Sequence, residues 1–201
     1  LISQFRTLEF TMKVKFFRLN PSGFIKNQPE ERLLPWLNKF CKKNKICLNV
    51  LSSVIPSVNK KGHSNTDEYN WYSRFLKDCN WKLIKNTGSN GMSYKVIDQS
   101  KLVVSMDSSL GYESLARDCK IVFLPKRNKS MDQIFGWPYK LDSVGNFWLS
   151  KFLPNEKEVD KFLQKNYMLD KNSWLKKNMN IKKQLCIYDI DNSKLKKILK
   201  I

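Results

Sequence analysis

Lys101–Pro125 reads KLVVSMDSSLGYESLARDCKIVFLP. Its apolar runs and helical spacing predict a strand over Leu102–Met106, a helix over Ser109–Arg117 and a strand over Ile121–Leu124. The turn between the first strand and the helix carries Asp107, Ser108, Ser109 and Gly111, with Glu113 just behind. Such a turn sets backbone N–H groups and small hydroxyls at the positive end of a helix, where a phosphate is favoured. Glu113, less than two turns further in, is placed to take a ribose hydroxyl, so the stretch reads as a nucleotide or nucleotide-sugar site. The same residues also fit a plain helix start, with Asp107 or Ser108 as cap, Gly111 for close packing and Glu113 solvated. Local chemistry leaves both readings open.

Upstream, Glu30–Lys43 has Leu33, Leu34, Leu37 and Phe40 at helical spacing, with Pro35 expected early in the helix. Ile46–Leu51 is a nearly continuous apolar run, the pattern of a strand covered on both faces. The polar loop Ser52–Thr66 follows, and Thr66 or Asp67 is expected to cap a helix to about Cys79. Trp81–Ile84 reads as a strand, Asn86–Gly91 as a loop and Ser93–Gln99 as a short helix. Strands alternating with helices in this way predict an α/β fold with a parallel sheet. In such sheets ligands bind beyond the carboxyl ends of the strands, and the loops Ser52–Thr66, Asn86–Ser93 and Asp107–Glu113 should open on one edge. Downstream, helices are expected from Asn155 to about Asn166, from Asp170 or Asn172, and from Ser193. Near the start, Thr11–Leu19 reads as a strand, and the first thirty or so residues are otherwise hard to place.

The chain has 201 residues, 41% of them hydrophobic, enough for one sizeable core. No apolar run is long enough to cross a bilayer, and nothing at the start resembles a signal peptide. Five cysteines (Cys41, Cys47, Cys79, Cys119, Cys186), odd in number and without a CxxC pair, point to buried reduced thiols and a cytoplasmic setting. The net charge of +19 comes from 31 Lys against only 6 Arg, spread evenly and accompanied by 19 Asn. Readers of nucleic acid lean on Arg and on aromatic interleaving, so this balance argues against a nucleic-acid partner. It leaves attraction to anionic phosphates, or peripheral contact with an inner membrane face, as the expectation.

Weaker candidates surround the turn. His63, the single histidine, lies in a Gly- and Lys-rich loop; it could serve as a general base or phosphate contact, or be merely solvated. Lys60, Lys61, Arg117, Lys126 and Arg127 are cations available to a pyrophosphate, each also readable as a surface charge. Trp71, Tyr72 and Phe75 look like a core face. One His, no CxxC and no DxD give no support to a metal site.

Ser93-Tyr94, Val96-Ile97-Asp98 and the run Val103–Glu113 (VVSMDSSLGYE) resemble the C-terminal half of GT-B-fold transferases of surface and capsular carbohydrate synthesis. Glu68-x-x-Trp71-Tyr72 and Gly145-Asn146-Phe147-Trp148 are also similar to that group. The resemblance spans roughly residues 46–180. It implies a Rossmann-like parallel sheet flanked by helices, with residues 46–150 as the nucleotide-sugar domain, 1–45 as a linker or remnant of a preceding domain, and 151–201 as a C-terminal helical extension. It implies that Ser108, Ser109 and Gly111 face the donor phosphates, that Glu113 takes the ribose, and that Asn86, Ser93 and Tyr94 lie near the base or sugar. The catalytic base and acceptor pocket of such enzymes usually belong to the other domain, so the chain reads as a fragment. The loop after the first strand, Leu51-Ser52-Ser53-Val54, lacks the Arg or His-Pro pair often found there in related transferases.

The expected function is therefore metal-independent transfer of a sugar from a nucleotide-sugar substrate, with no separate cofactor, to a carbohydrate or lipid-linked acceptor. Two alternatives stay open: a nucleotide-sugar epimerase on the same plan, and a non-catalytic binding module that keeps the fold.

Overall fold

The computed structural model describes residues 1–3, 29–54, 64–87, 90–106, 108–124, 146–149, 155–185 and 196–197. Its elements are α1 (Pro29–Lys43), β1 (Leu48–Leu51), α2 (Asn65–Ser73), β2 (Trp81–Ile84), α3 (Asn90–Asp98), β3 (Val103–Ser105), α4 (Ser109–Ala116), β4 (Ile121–Phe123), α5 (Glu156–Met168) and α6 (Lys171–Leu185). The fold is α/β, and the strands pair in parallel, β1 with β2 and β3 with β4. The strand expected over Thr11–Leu19 and the helix from Ser193 lie outside the described residues, apart from Lys196 and Lys197.

Leu1-Ile2-Ser3 joins the two pairs. Leu51 N–H donates to Leu1 O (2.8 Å) and Ser3 N–H to Leu51 O (3.0 Å), while on the other side Ile2 N–H donates to Val104 O (2.9 Å). At the far edge, Phe123 N–H donates to Phe147 O (2.7 Å) and Leu149 N–H to Phe123 O (3.0 Å). The hydrogen-bonded order is thus β2, β1, residues 1–3, β3, β4, residues 147–149. Counted along the chain, the described runs lie third, second, first, fourth, fifth, sixth. The amino ends of the runs share one side, since Leu1, Leu48 and Leu102 line a single cavity of about 240 Å³ there. The carboxyl ends share the other.

Burial follows the patterns in the sequence. Leu33, Leu34, Leu37, Phe40 and Cys41 form one stripe of α1 and pack with Leu48, Val50, Val104 and Val122. Residues 1–3 and α1 therefore share cores with the strands of the 46–150 region. Pro35 lies inside α1 and not near its start. Its missing N–H leaves one carbonyl of the first turns without a helical partner, and burial of the leucines on either side offsets that cost. β3 and β4 are buried throughout, whereas β2, at one edge of the ladder, is half-exposed.

Helix starts differ from the sequence reading in two places. Ser64, not Thr66 or Asp67, is the N-cap of α2; Asp67 is its capping-box partner, accepting from Ser64 N–H at 2.8 Å. α3 begins at Asn90, three residues before Ser93. The last two helices cover the sheet. Val159 and Leu163 of α5 join the α1 core, while Trp174 of α6 packs on Phe147 and donates through Nε1 to Asn166 Oδ1 at 2.9 Å. Lys120, just ahead of β4, donates its ammonium to carbonyls at the carboxyl end of α5, those of Tyr167 and of the C-cap residue Leu169. No helix among the described residues is long and apolar enough to cross a membrane.

Candidate functional site

The carboxyl edge of the sheet gathers Ser3, Ser52–Val54, Asn86, Thr87 and Ser108, each at or just beyond the end of a strand run. At its centre lies Glu68, 0% exposed. The capping box fixes the first turn of α2, and Glu68, one residue past Asp67, falls on the same stripe as Tyr72 and Leu76, which faces the sheet. Glu68 Oε1 accepts from Ser3 Oγ (2.5 Å), Ser53 N–H (3.0 Å) and Ser53 Oγ (3.4 Å). Glu68 Oε2 accepts from Ser52 Oγ, which also lies 2.9 Å from Asn65 Oδ1. Tyr72 OH donates to Ser3 Oγ at 2.9 Å, so a chain of hydroxyls runs from tyrosine through serine to carboxylate. A buried carboxylate is tolerable only with donors of this number. Its effect is to tie the end of the central run to the loop after β1.

The turn between β3 and α4 is the second part of the edge. Ser108 is the N-cap of α4 in extended conformation, yet its side chain makes no capping hydrogen bond. The hydroxyl is thus not consumed by the helix it opens. Ser109 is exposed beside it, and Asp107 lies outside the described residues. Gly111 donates its N–H to Ser108 O at 2.9 Å. A Cβ there would stand 2.6 Å from Ser105 Oγ and 2.9 Å from Phe123 Cε1. Close approach of α4 to β3 and β4 accounts for this glycine. Ser105, 0% exposed, lies directly beneath, and its Oγ has no hydrogen-bond partner among the described residues.

Glu113, half-buried, accepts a 2.5 Å hydrogen bond on Oε2 from Tyr94 OH of α3. The structure thereby brings together two candidates that stand nineteen residues apart. The Arg117 guanidinium covers the Tyr94 ring at 4.9 Å and pairs with Asp98 through Nε (2.9 Å) and a second nitrogen. Those hydrogen bonds hold the Asp98 carboxyl below its ordinary value. Arg117 is the C-cap of α4, about 12 Å of helix rise from Ser109, so it braces α3 against α4 and does not face the turn. Cys119 donates to Asp98 Oδ1 at 3.5 Å, and burial, with Asp98 beside it, pushes its thiol up to about 11.

Asn86, just after β2, and Ser93, in the first half of α3, are half-buried on the same side of the sheet. His63, Lys60, Lys61, Lys126 and Arg127 lie outside the described residues. Among the described residues no group of His, Cys, Asp and Glu is arranged to hold a metal ion. Glu68 is the buried residue of this edge that reading for motifs of the turn type passes over. Its signal was present: an acidic residue on the apolar stripe of a helix, four residues before Tyr72 and eight before Leu76.

No curated protein and no solved structure matches the chain. A family model described as "putative O-antigen biosynthesis protein" matches residues 1–201, the whole length, and the chain belongs to that family of polysaccharide biosynthesis.

Proposed function

We propose that the chain is the nucleotide-sugar-binding half of a GT-B-type glycosyltransferase of O-antigen synthesis. The observation that carries this reading is the start of α4. It opens at the carboxyl end of β3, beside the central run, with the Ser108 hydroxyl unused as a cap. The run order third, second, first, fourth, fifth, sixth is the one doubly wound nucleotide-binding sheets adopt, and they hold phosphates at such a position. Family membership supplies the polysaccharide.

In this reading the first N–H groups of α4, with the Ser108 and Ser109 hydroxyls, receive the donor's phosphates. Gly111 lets the helix lie close enough to the sheet to aim them. Glu113 offers a ribose hydroxyl the carboxylate oxygen that Tyr94 does not occupy, and Asn86 and Ser93 border the base or sugar. Glu68 holds the Ser3 and Ser52–Ser53 backbone as the floor of the cleft. The acceptor's hydroxyl oxygen bonds to the anomeric carbon as the bond from that carbon to the donor phosphate breaks. The electron pair leaves on the phosphate oxygen, where the helix dipole and N–H groups stabilise it without a metal. The acceptor's proton passes to a base on a facing domain, as GT-B architecture implies.

Calorimetry with a panel of CMP-, UDP- and GDP-sugars tests the reading. One nucleotide class should bind, and Glu113→Ala should weaken it by about 1–3 kcal/mol. Absence of binding across the panel overturns the proposal.

A further inference from the structure

Two polar segments of the carboxyl edge use their hydrogen-bond donors differently. In the loop after β1 the donors turn inward. Ser52 N–H donates to Ile84 O (2.9 Å), Ser53 N–H to Glu68 Oε1 (3.0 Å) and Val54 N–H to Ser52 Oγ (3.1 Å). The Ser3, Ser52 and Ser53 hydroxyls all reach the Glu68 carboxylate, which has no Lys or Arg among its described partners. At the start of α4 the donors stay open. Ser108 makes no side-chain cap, Ser109 is exposed, and the N–H groups of Ser109 and Leu110 precede the first helical hydrogen bonds. Gly111 N–H is taken, by Ser108 O at 2.9 Å. Under the same turn the Ser105 hydroxyl, fully buried, has no partner among the described residues.

We propose that the sugar bound here is joined to a nucleoside monophosphate, as in a CMP-sugar, and that the Glu68 carboxylate excludes the second phosphate of a nucleoside diphosphate sugar. The inference rests on the nucleotide-sugar reading of the edge and narrows it. A phosphodiester has two unesterified oxygens and a single negative charge, whereas the pyrophosphate link has twice as many of each. The Ser108 and Ser109 hydroxyls and the first N–H groups of α4 match the smaller set. The helix start carries about half a positive charge, which suits one anion better than two. A second phosphate would need donors from the neighbouring loop. Ser3 ends the run beside β3, about one strand spacing or 4.8 Å away, and its hydroxyl is committed to Glu68. α2 brings Glu68 from one face of the sheet, and α4 packs on the other. The edge between them, where that phosphate would lie, therefore meets a buried like charge.

Calorimetry of the full chain, in the presence and in the absence of Mg²⁺, compares CMP with CDP, UMP with UDP and GMP with GDP. For the base that binds, the monophosphate should bind at least as tightly as the diphosphate. Among CMP-, UDP- and GDP-sugars, the CMP-sugar, which alone is a phosphodiester, should bind ahead of the others. A diphosphate that binds tighter than its monophosphate, or a UDP- or GDP-sugar that binds ahead of the CMP-sugar, overturns the inference and leaves the nucleotide-sugar reading standing. No binding by any of these compounds overturns that reading itself. Glu68→Gln keeps an acceptor and removes the charge, so it should raise diphosphate affinity relative to monophosphate by roughly tenfold. An unchanged ratio in the folded variant overturns the exclusion assigned to Glu68. If circular dichroism shows that variant unfolded, the ratio in the unaltered chain decides.

Discussion

Glu68 Oε1 and Ser3 Oγ meet at 2.5 Å across sixty-five residues of sequence, joining the helix after β1 to the end of the central run. The carboxylate has no exposure, and its described partners are serine hydroxyls and a backbone N–H. Glu68→Ala strands several buried donors at once and should cost about 3–5 kcal/mol in urea unfolding. Glu68→Gln keeps the shape and one strong acceptor, so its cost should be clearly smaller. Equal destabilisation by the two would mean the charge, not the hydrogen-bond geometry, matters most.

Gly111 is held against the sheet by contact distance alone. Gly111→Ala forces its methyl onto Ser105 Oγ and Phe123, and overpacking of this kind costs about 1–3 kcal/mol. Ser105→Ala alone should be close to neutral or stabilising, since it removes a buried hydroxyl with no partner among the described residues. Combined with Gly111→Ala it should recover part of the loss, a coupling that a double-mutant cycle measures.

The Tyr94–Glu113 hydrogen bond should show a coupling of about 1 kcal/mol in a cycle of Tyr94→Phe and Glu113→Gln, read by chemical denaturation. Additive effects would show that the hydroxyl and carboxylate do not depend on each other.

Burial pushes the Cys41 thiol from an ordinary 9.0 up to about 12. The unfolded chain gives up this proton near pH 9 while the folded chain keeps it, so above that pH the unfolded state binds fewer protons. The stability contribution is complete below pH 9 and declines as pH rises from about 9 toward 12. Cys41→Ala should make that alkaline decline shallower in denaturation curves collected across pH. An unchanged slope would assign the decline to other groups.

Much of the fold was legible from local pattern. Trp81–Ile84 has the bounds expected of it, and the β3–α4–β4 unit lies within a residue or two of its reading, because a short apolar run between turn residues has few other ways to bury itself. The stripe of α1 was equally plain. Pro35, placed early by local rule, stands inside the helix because tertiary burial outweighs one lost hydrogen bond.

The turn from Ser108 to Glu113 was visible in the sequence as a helix start at a strand end, and its dual meaning was visible too. Only the packed molecule separates its parts: Gly111 faces the sheet, Glu113 meets Tyr94, and the Ser108 side chain leaves the cap unmade. The sequence by itself determined the alternation of strands and helices and the chemistry at the end of β3, since both depend on neighbours within a few residues. The tertiary structure alone decided that Leu1-Ile2-Ser3 occupies the centre of the ladder and that Glu68 is buried beneath its end. Three residues have no periodicity to read, and a glutamate reads as solvated until distant donors are brought to it.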